Sequence, residues 1–276
     1  MLILAETYWH FEPKPILFEL WGGFSIRYYS LAYLLGFFAL YWGLIKFHAW
    51  KWSSLNKDQV ADFVAWMVAG VLIGGRLGYC LLYDLETTLA NPISVIDFWS
   101  HGGIQGMASH GGFLGVVGAI FLYAKRHGHS FWQLLDNLVV IAPIGLFLGR
   151  IANFINGELW GRPTDLPWAV VFLNDPLREP RHASQLYQAL GEGFLLFFVI
   201  FWLRRKSLKP GVTSLSFLAI YSSVRFFVEF FREKDSQFNA PNAPAFYEYI
   251  SQGQILSVIG FISALVLGFL VIHKNK

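Results

Sequence analysis

The stretch "GRIANFINGELWGR" (Gly149–Arg162) follows directly on the apolar run "NLVVIAPIGLFL" (137–148). Two arginines, two asparagines and a glutamate therefore stand at the end of a segment that otherwise reads as a membrane span. Reading that polarity decides both the fold and the chemistry. Hydrocarbon tolerates such groups only where they face protein, a wet cavity or the headgroup layer.

The rest of the chain supports a membrane setting. Of its 276 residues, 55% are hydrophobic and 14% charged, with mean hydropathy +0.46. Soluble domains carry about 25% charged residues. Eleven Trp and 27 Phe suit lipid contact and interfacial belts. A net charge of +3, with no basic run interleaved with aromatics, argues against nucleic acid as a partner. Cys80 is the single cysteine, so it forms no internal disulfide and reads as a small buried hydrophobe. Glu6 and Glu12, without a basic start, give no cleavable signal peptide.

About 20 apolar residues cross the hydrocarbon. Seven segments meet this requirement, near 24–46, 60–83, 110–124, 134–155, 189–204, 212–231 and 253–272. The third is short and has a second reading, as a re-entrant segment beginning inside "HGGIQGMASHGG" (101–112). The expected fold is an all-α integral membrane protein, read as a single domain over 1–276. A small external lobe spans 156–188, rich in proline and mixed charge. Basic residues orient it. Lys46, Lys51, Lys57, Lys125, Arg126, Arg204, Arg205, Lys206, Lys209, Lys274 and Lys276 fall in short connections on one side. Lys14, Arg162, Arg178, Arg181, Arg232 and Lys234 are spread over longer segments on the other. The N-terminus is expected outside and the C-terminus in the cytoplasm.

Arg27 begins the first segment, where it can snorkel to headgroups. Arg76, Arg150 and Arg225 lie well inside theirs, and each costs ~2.5–3.5 kcal/mol at the bilayer centre unless paired or wet. All three fall in the outer half, at the level of Tyr29 and His110. Tyr221, Arg225, Glu229 and Arg232 share one helical face, as do Arg150 and Asn153. The helix reads as broken near Glu158, at "NGE" (156–158). Gly70, Gly74 and Gly78 form a stripe suited to close helix packing.

Plainer readings stand beside these. Arg225 with Glu229 reads equally as a structural ion pair, Arg76 as a structural grip on a headgroup, and Asn153 and Asn156 as interhelical glue. His110 reads also as an interfacial histidine satisfied by backbone. Several costly groups at one depth are explained better by a positively lined cavity open to lipid. Guanidinium forks there suit the phosphodiester of a phospholipid, and His110 suits a base. No HExxH, Cys/His cluster or GxSxG elbow occurs, so neither a metal nor a serine nucleophile is expected.

"GRIANFINGELWG" (149–161) resembles the signature of the prolipoprotein diacylglyceryl transferase family, Gly-Arg-x-(Gly/Ala)-Asn-Phe-x-Asn-x-Glu-x-x-Gly, throughout its length. Similar resemblances run through "RYYSLAYLLGF" (27–37), "GGRLGYCLLY" (74–83), "SHGGFLGV" (109–116), "RHASQLYQ" (181–188) and "YSSVRFFVEFFR" (221–232). The chain departs from the common family form at Ala183 and Gln188, where Pro and Glu are usual.

The resemblance implies transfer of the sn-1,2-diacylglyceryl group of phosphatidylglycerol to the lipobox cysteine thiol of a prolipoprotein, with release of glycerol phosphate. It implies phosphate binding by Arg150 and Arg225, thiol deprotonation by His110, and a catalytic place for Tyr29. Asn153, Glu158, Gly161, Tyr221 and Arg76 are then expected around the bound phosphatidylglycerol. No cofactor is expected. The implied partners are phosphatidylglycerol, prolipoprotein signal peptides and membrane lipids, at the bacterial inner membrane with the site toward the outer leaflet. The alternatives are an anionic-lipid or anion transporter and a non-catalytic lipid-binding scaffold.

Overall fold

The computed structural model describes residues 8–19, 25–96, 106–206, 208–233 and 250–273. It is a helical integral membrane protein. Five helical segments among these residues are long and apolar enough to cross a bilayer: Tyr28–Ala49, Lys57–Leu82, Phe131–Ile155, Ser184–Arg204 and Gln252–His273. A shorter apolar helix covers Val212–Val228. The third expected span also forms a helix, Ser109–His127. Its length is sufficient, but glycines and a basic last turn dilute its apolar character. The part of the re-entrant reading that concerns 101–105 lies outside the described residues.

In chain order the helices are α1 (Tyr28–Ala49), α2 (Lys57–Leu82), α3 (Leu85–Ala90), α4 (Ser109–His127), α5 (Phe131–Ile155), α6 (Ser184–Gln188), α7 (Leu196–Arg204), α8 (Val212–Val228) and α9 (Gln252–His273). A 3₁₀ turn, Pro92–Ile96, follows α3, and a π-helical stretch, Ala189–Leu195, joins α6 to α7. The fifth span thus starts five residues earlier than the sequence suggested. Ser184, Gln185 and Gln188, which read as loop polarity, are buried in its first turns.

The chain divides into two compact units, one of residues 40–138 and one of residues 1–39 with 139–276. In the unit of residues 40–138, Asn56 caps α2 in a full capping box with Gln59, so two end donors are satisfied reciprocally. The glycine stripe of α2 packs on α4 as its spacing predicted. A Cβ on Gly70 would lie 2.8 Å from the Gly115 carbonyl oxygen, and one on Gly74 would lie 2.7 Å from the Gly115 Cα. The two backbones touch, which only glycine permits.

The other unit adds strands that the all-helical expectation did not contain. β1 (Trp9–Phe11) pairs in parallel with β4 (Val170–Phe172), and β4 pairs antiparallel with β5 (Pro180–Arg181). β2 (Ile16–Glu19) and β3 (Ser25–Arg27) form a separate antiparallel pair just before α1. The segment 156–188 therefore folds around a small sheet whose third strand comes from the N-terminus. Phe154, Val170, Phe172 and Ala183 form its core, with Phe11, Trp160 and Leu186 against them. Arg181 seals it, donating to Asp175 at 2.6 Å and Glu233 at 3.1 Å while lying over the Trp160 ring.

α9 begins in a capping box between Ser251 and Gln254 and packs along α8. The contact is close where Gly260 meets Ser222 and where Gly253 meets the carboxylate of Glu229. Gly74→Ala tests the α2–α4 contact. Its methyl has no room against Gly111 and Gly115, so the variant should lose about 1–3 kcal/mol. That loss should appear as a lower apparent melting temperature in detergent, whereas Gly118→Ala, with open space at its Cβ, should melt like the parent.

Candidate active site

The signature stretch ends α5 and turns the chain sharply. After Ile155, Gly157 takes φ +63° and Leu159 φ +56°, so the helix stops where "NGE" predicted a break. The turn brings Glu158 back under the helix. Its backbone N–H donates to the Asn153 carbonyl at 3.1 Å, and its Oε1 accepts from Asn153 at 3.0 Å and Asn156 at 3.2 Å. Asn153 also donates to the Tyr29 hydroxyl at 2.5 Å. The main-chain carbonyl of Glu158 accepts from buried Gln185 at 2.8 Å. Tyr29, Asn153 and Glu158 thus form one hydrogen-bonded group, built from α1, α5 and the turn after it.

One helical turn before Asn153 lies Arg150, and its partner was not singled out in the sequence. The Glu192 carboxylate, 0% exposed, accepts through Oε2 from Arg150 Nε at 3.2 Å and Nη2 at 3.1 Å. Its other oxygen faces Arg225 Nη1 at 3.5 Å. Arg225 Nη2 then meets Glu229 Oε2 at 2.7 Å, and Glu229 Oε1 meets Arg232 Nη1 at 3.4 Å. The result is an alternating chain, Arg150–Glu192–Arg225–Glu229–Arg232. The i, i+4 pair read from α8 is real, and it is one link of a longer network. Tyr221 belongs to the same surroundings, feeling the charges of Glu192, Arg225 and Arg150.

A local signal for Glu192 exists in the sequence, as "GEG" (191–193) inside an apolar run. Both glycines are contact points. A Cβ on Gly193 would run into Phe147 of α5, and one on Gly191 into Val224 of α8. The π-helical stretch centres on this triplet, and such stretches are frequent at functional sites. Together they drive a carboxylate between two helices that each carry an arginine.

The remaining expected site residues are placed differently. Gly161 is buried where a side chain would collide with His182 and the Phe231 carbonyl. Its N–H donates to the His182 carbonyl at 2.9 Å, so it joins the lobe to the end of α8. His110 is exposed in the first turn of α4. Arg76 donates to three main-chain carbonyls, of Val95 at 3.0 Å, Ser94 at 2.5 Å and Gly106 at 3.4 Å. It thereby pins the 3₁₀ turn and the connection leading into α4.

At the lobe, an apolar cavity of about 440 Å³ is lined by Leu166, Trp168, His182, Tyr187, Phe227, Val228 and Phe231. Burial lowers the His182 pKa. A neutral ring can accept at Nδ1 from the Tyr187 hydroxyl, which itself accepts from Trp168 Nε1. Among the described residues, no three His, Cys, Asp or Glu side chains come together to hold a metal.

Such a fold and site define a multi-pass membrane protein with a buried network of arginines and carboxylates. Residues 15–270 match the family model described as prolipoprotein diacylglyceryl transferase. The chain is 46% identical to the phosphatidylglycerol–prolipoprotein diacylglyceryl transferase of Idiomarina loihiensis over 84% of its length and 85% of the relative's. It is 44% identical to that of Solidesulfovibrio magneticus, covering 90% and 91% of the two chains. With that of Pseudoalteromonas atlantica it shares 41% identity over 99% and 95%. The chain belongs to the prolipoprotein diacylglyceryl transferase family and is a transferase of lipoprotein biosynthesis.

The network makes a direct prediction for stability. Arg225→Ala leaves Glu192 and Glu229, both buried, without their shared cation. Breaking a buried pair in this way costs about 3–5 kcal/mol. The variant should melt far below the parent in detergent. Lys14→Ala, which removes an exposed pair with Glu12, should shift the transition little.

Proposed function

We propose that the Arg150–Glu192–Arg225–Glu229–Arg232 chain is the phosphate site for phosphatidylglycerol, and that the acceptor is the lipobox cysteine of a prolipoprotein. The observation carrying this reading is the convergence of two arginines from different helices, Arg150 and Arg225, on the single buried carboxylate of Glu192. Paired guanidinium forks of this kind suit the oxygens of a phosphodiester. Arg150 is the group best placed to meet it. It uses Nε and Nη2 on Glu192, leaving Nη1 outside those bonds, and its side chain is 19% exposed against 13% for Arg225.

The chemistry is displacement at carbon. The acceptor thiol gives its proton to a base, and the thiolate attacks the glyceryl carbon that carries the phosphate ester. A C–S bond forms as the C–O bond breaks, and the electron pair leaves on glycerol phosphate. The phosphate thereby passes from one negative charge to two, and a preorganised guanidinium stabilises the charge as it develops. Asn153, one turn along α5 from Arg150, holds the lip of the site with its partners Tyr29 and Glu158. His110 is the proposed base, on the strength of the family resemblance alone. Arg76 we assign to holding its own loop.

An outer-leaflet site is supported by the basic asymmetry and by the ends of the unit holding the arginines. The lobe, β1 and the end of α8 are joined at one end. Lys209 in the α7–α8 connection donates to the carbonyl of Ile272 near the end of α9. Lobe and basic connection therefore belong to opposite ends of the spans. A reporter after Arg205 should be cytoplasmic and one near Asp175 external; a cytoplasmic lobe would put the arginines in the wrong leaflet.

The direct assay mixes purified protein with phosphatidylglycerol and a lipobox peptide, and reads the peptide mass. A Cys peptide should gain a diacylglyceryl group and its Ser analogue should not, because a thiol ionises near pH 8.5 and a hydroxyl far higher. Arg150→Lys keeps the charge but loses the planar fork. Turnover at saturating phosphatidylglycerol should fall on the order of 10²-fold or more. Near-parental turnover would reduce Arg150 to a counter-ion.

A further inference from the structure

Glu192 stands outside both the signature stretch and the expected site, yet both arginines are fixed to it. We propose that Glu192 is the positioning residue of the phosphate site. On this reading, which rests on the proposed donor site above, it sets the spacing of Arg150 and Arg225 and offsets part of their positive charge.

Three independent observations carry this. Its carboxylate is completely buried, so it acts through the arginines and does not itself touch a ligand. Each of its oxygens faces a different arginine, Oε2 toward Arg150 and Oε1 toward Arg225. One rigid group therefore fixes two guanidinium groups that come from helices 75 residues apart in sequence, Arg150 on α5 and Arg225 on α8. Finally, Gly191 and Gly193 leave no room for side chains against Val224 and Phe147. The backbone around Glu192 is held between the two helices it connects.

Charge limitation has a functional consequence. The donor carries one negative charge and the glycerol phosphate product two. A chamber of higher positive charge would grip the product more than the donor and slow its release. A buried carboxylate beneath the two arginines holds that preference down while leaving the open edge of Arg150 to meet the developing charge.

The test separates charge from shape. Glu192→Gln keeps the volume and hydrogen-bonding reach but removes the negative charge. Glu192→Asp keeps the charge but is one methylene too short to meet both arginines at once. Each variant is purified in detergent, and kcat, the KM for phosphatidylglycerol and the inhibition constant of glycerol 1-phosphate are measured.

For Glu192→Gln, inhibition by glycerol 1-phosphate should tighten on the order of 10-fold, because one more net positive charge faces the dianion in a partly buried site. Its kcat should fall by on the order of 10²-fold as the preorganised geometry is lost. For Glu192→Asp, the inhibition constant should stay near the parental value while kcat still falls about 10-fold or more. A residue with a merely structural role would lower the yield of folded protein and leave these constants unchanged in the fraction that folds. Parental kcat in Glu192→Asp, or unaltered glycerol 1-phosphate inhibition in Glu192→Gln, would overturn the proposal. If Glu192→Gln does not fold, the kcat of Glu192→Asp decides. If the parental protein itself transfers nothing from phosphatidylglycerol, the donor reading fails instead. Glycerol 1-phosphate binding by calorimetry then still reports whether removing the Glu192 charge tightens the site.

Discussion

The structure of the arginine-bearing unit depends on one constraint: a guanidinium taken out of water must find a counter-charge. The desolvation of even one ion costs several kcal/mol in a real protein interior. Here the need is met by sharing, since Glu192 serves Arg150 and Arg225, and Glu229 serves Arg225 again and Arg232. Sharing fixes more than charge. It ties α5, the π-helical stretch and α8 together at one level, and α9 closes over Glu229 through Gly253. A buried ion pair is weak evidence for stability in general. What sets this network apart is that one completely buried carboxylate, Glu192, holds two arginines from different helices.

Much of this was legible in sequence because the relevant forces act over short separations. Apolar length gave seven spans, and each corresponds to a helix. The Gly70, Gly74 and Gly78 stripe read correctly as a packing face, since one side of a helix is set by spacing alone. The break after Ile155 was legible for the same local reason. Arg225 and Glu229 were visible as a pair because four residues bring side chains together on any helix.

What stayed hidden depended on long separations. Arg150 and Glu192 are 42 positions apart, and nothing in either local pattern names the other. Glu192 lies in an apolar segment and was passed over, although flanking glycines marked the place where two helices come close. β1 and β4 pair across about 160 residues, which explains why the lobe was read without its sheet. Arg76 shows a different limit. It was read as a costly charge inside its segment, and its guanidinium donates to main-chain carbonyls of its own connection. A buried charge signals that a partner exists, and it does not say whether the partner is protein or ligand.

In the arginine-bearing unit the protein partners are found by tracing the network instead of judging each residue singly. Arg225 bridges two buried carboxylates, and removing it should unfold the protein before it slows the chemistry. Arg150 makes two bonds to one oxygen of one carboxylate, also engages Tyr221, and keeps the larger exposure. The two arginines of the resemblance are therefore not equivalent. Arg225 joins Glu192 to Glu229, and Arg150 stands at the end of the network. On the proposed reading, the polarity at the end of α5 puts the buried carboxylate on one side of Arg150 and the donor's phosphate on the other.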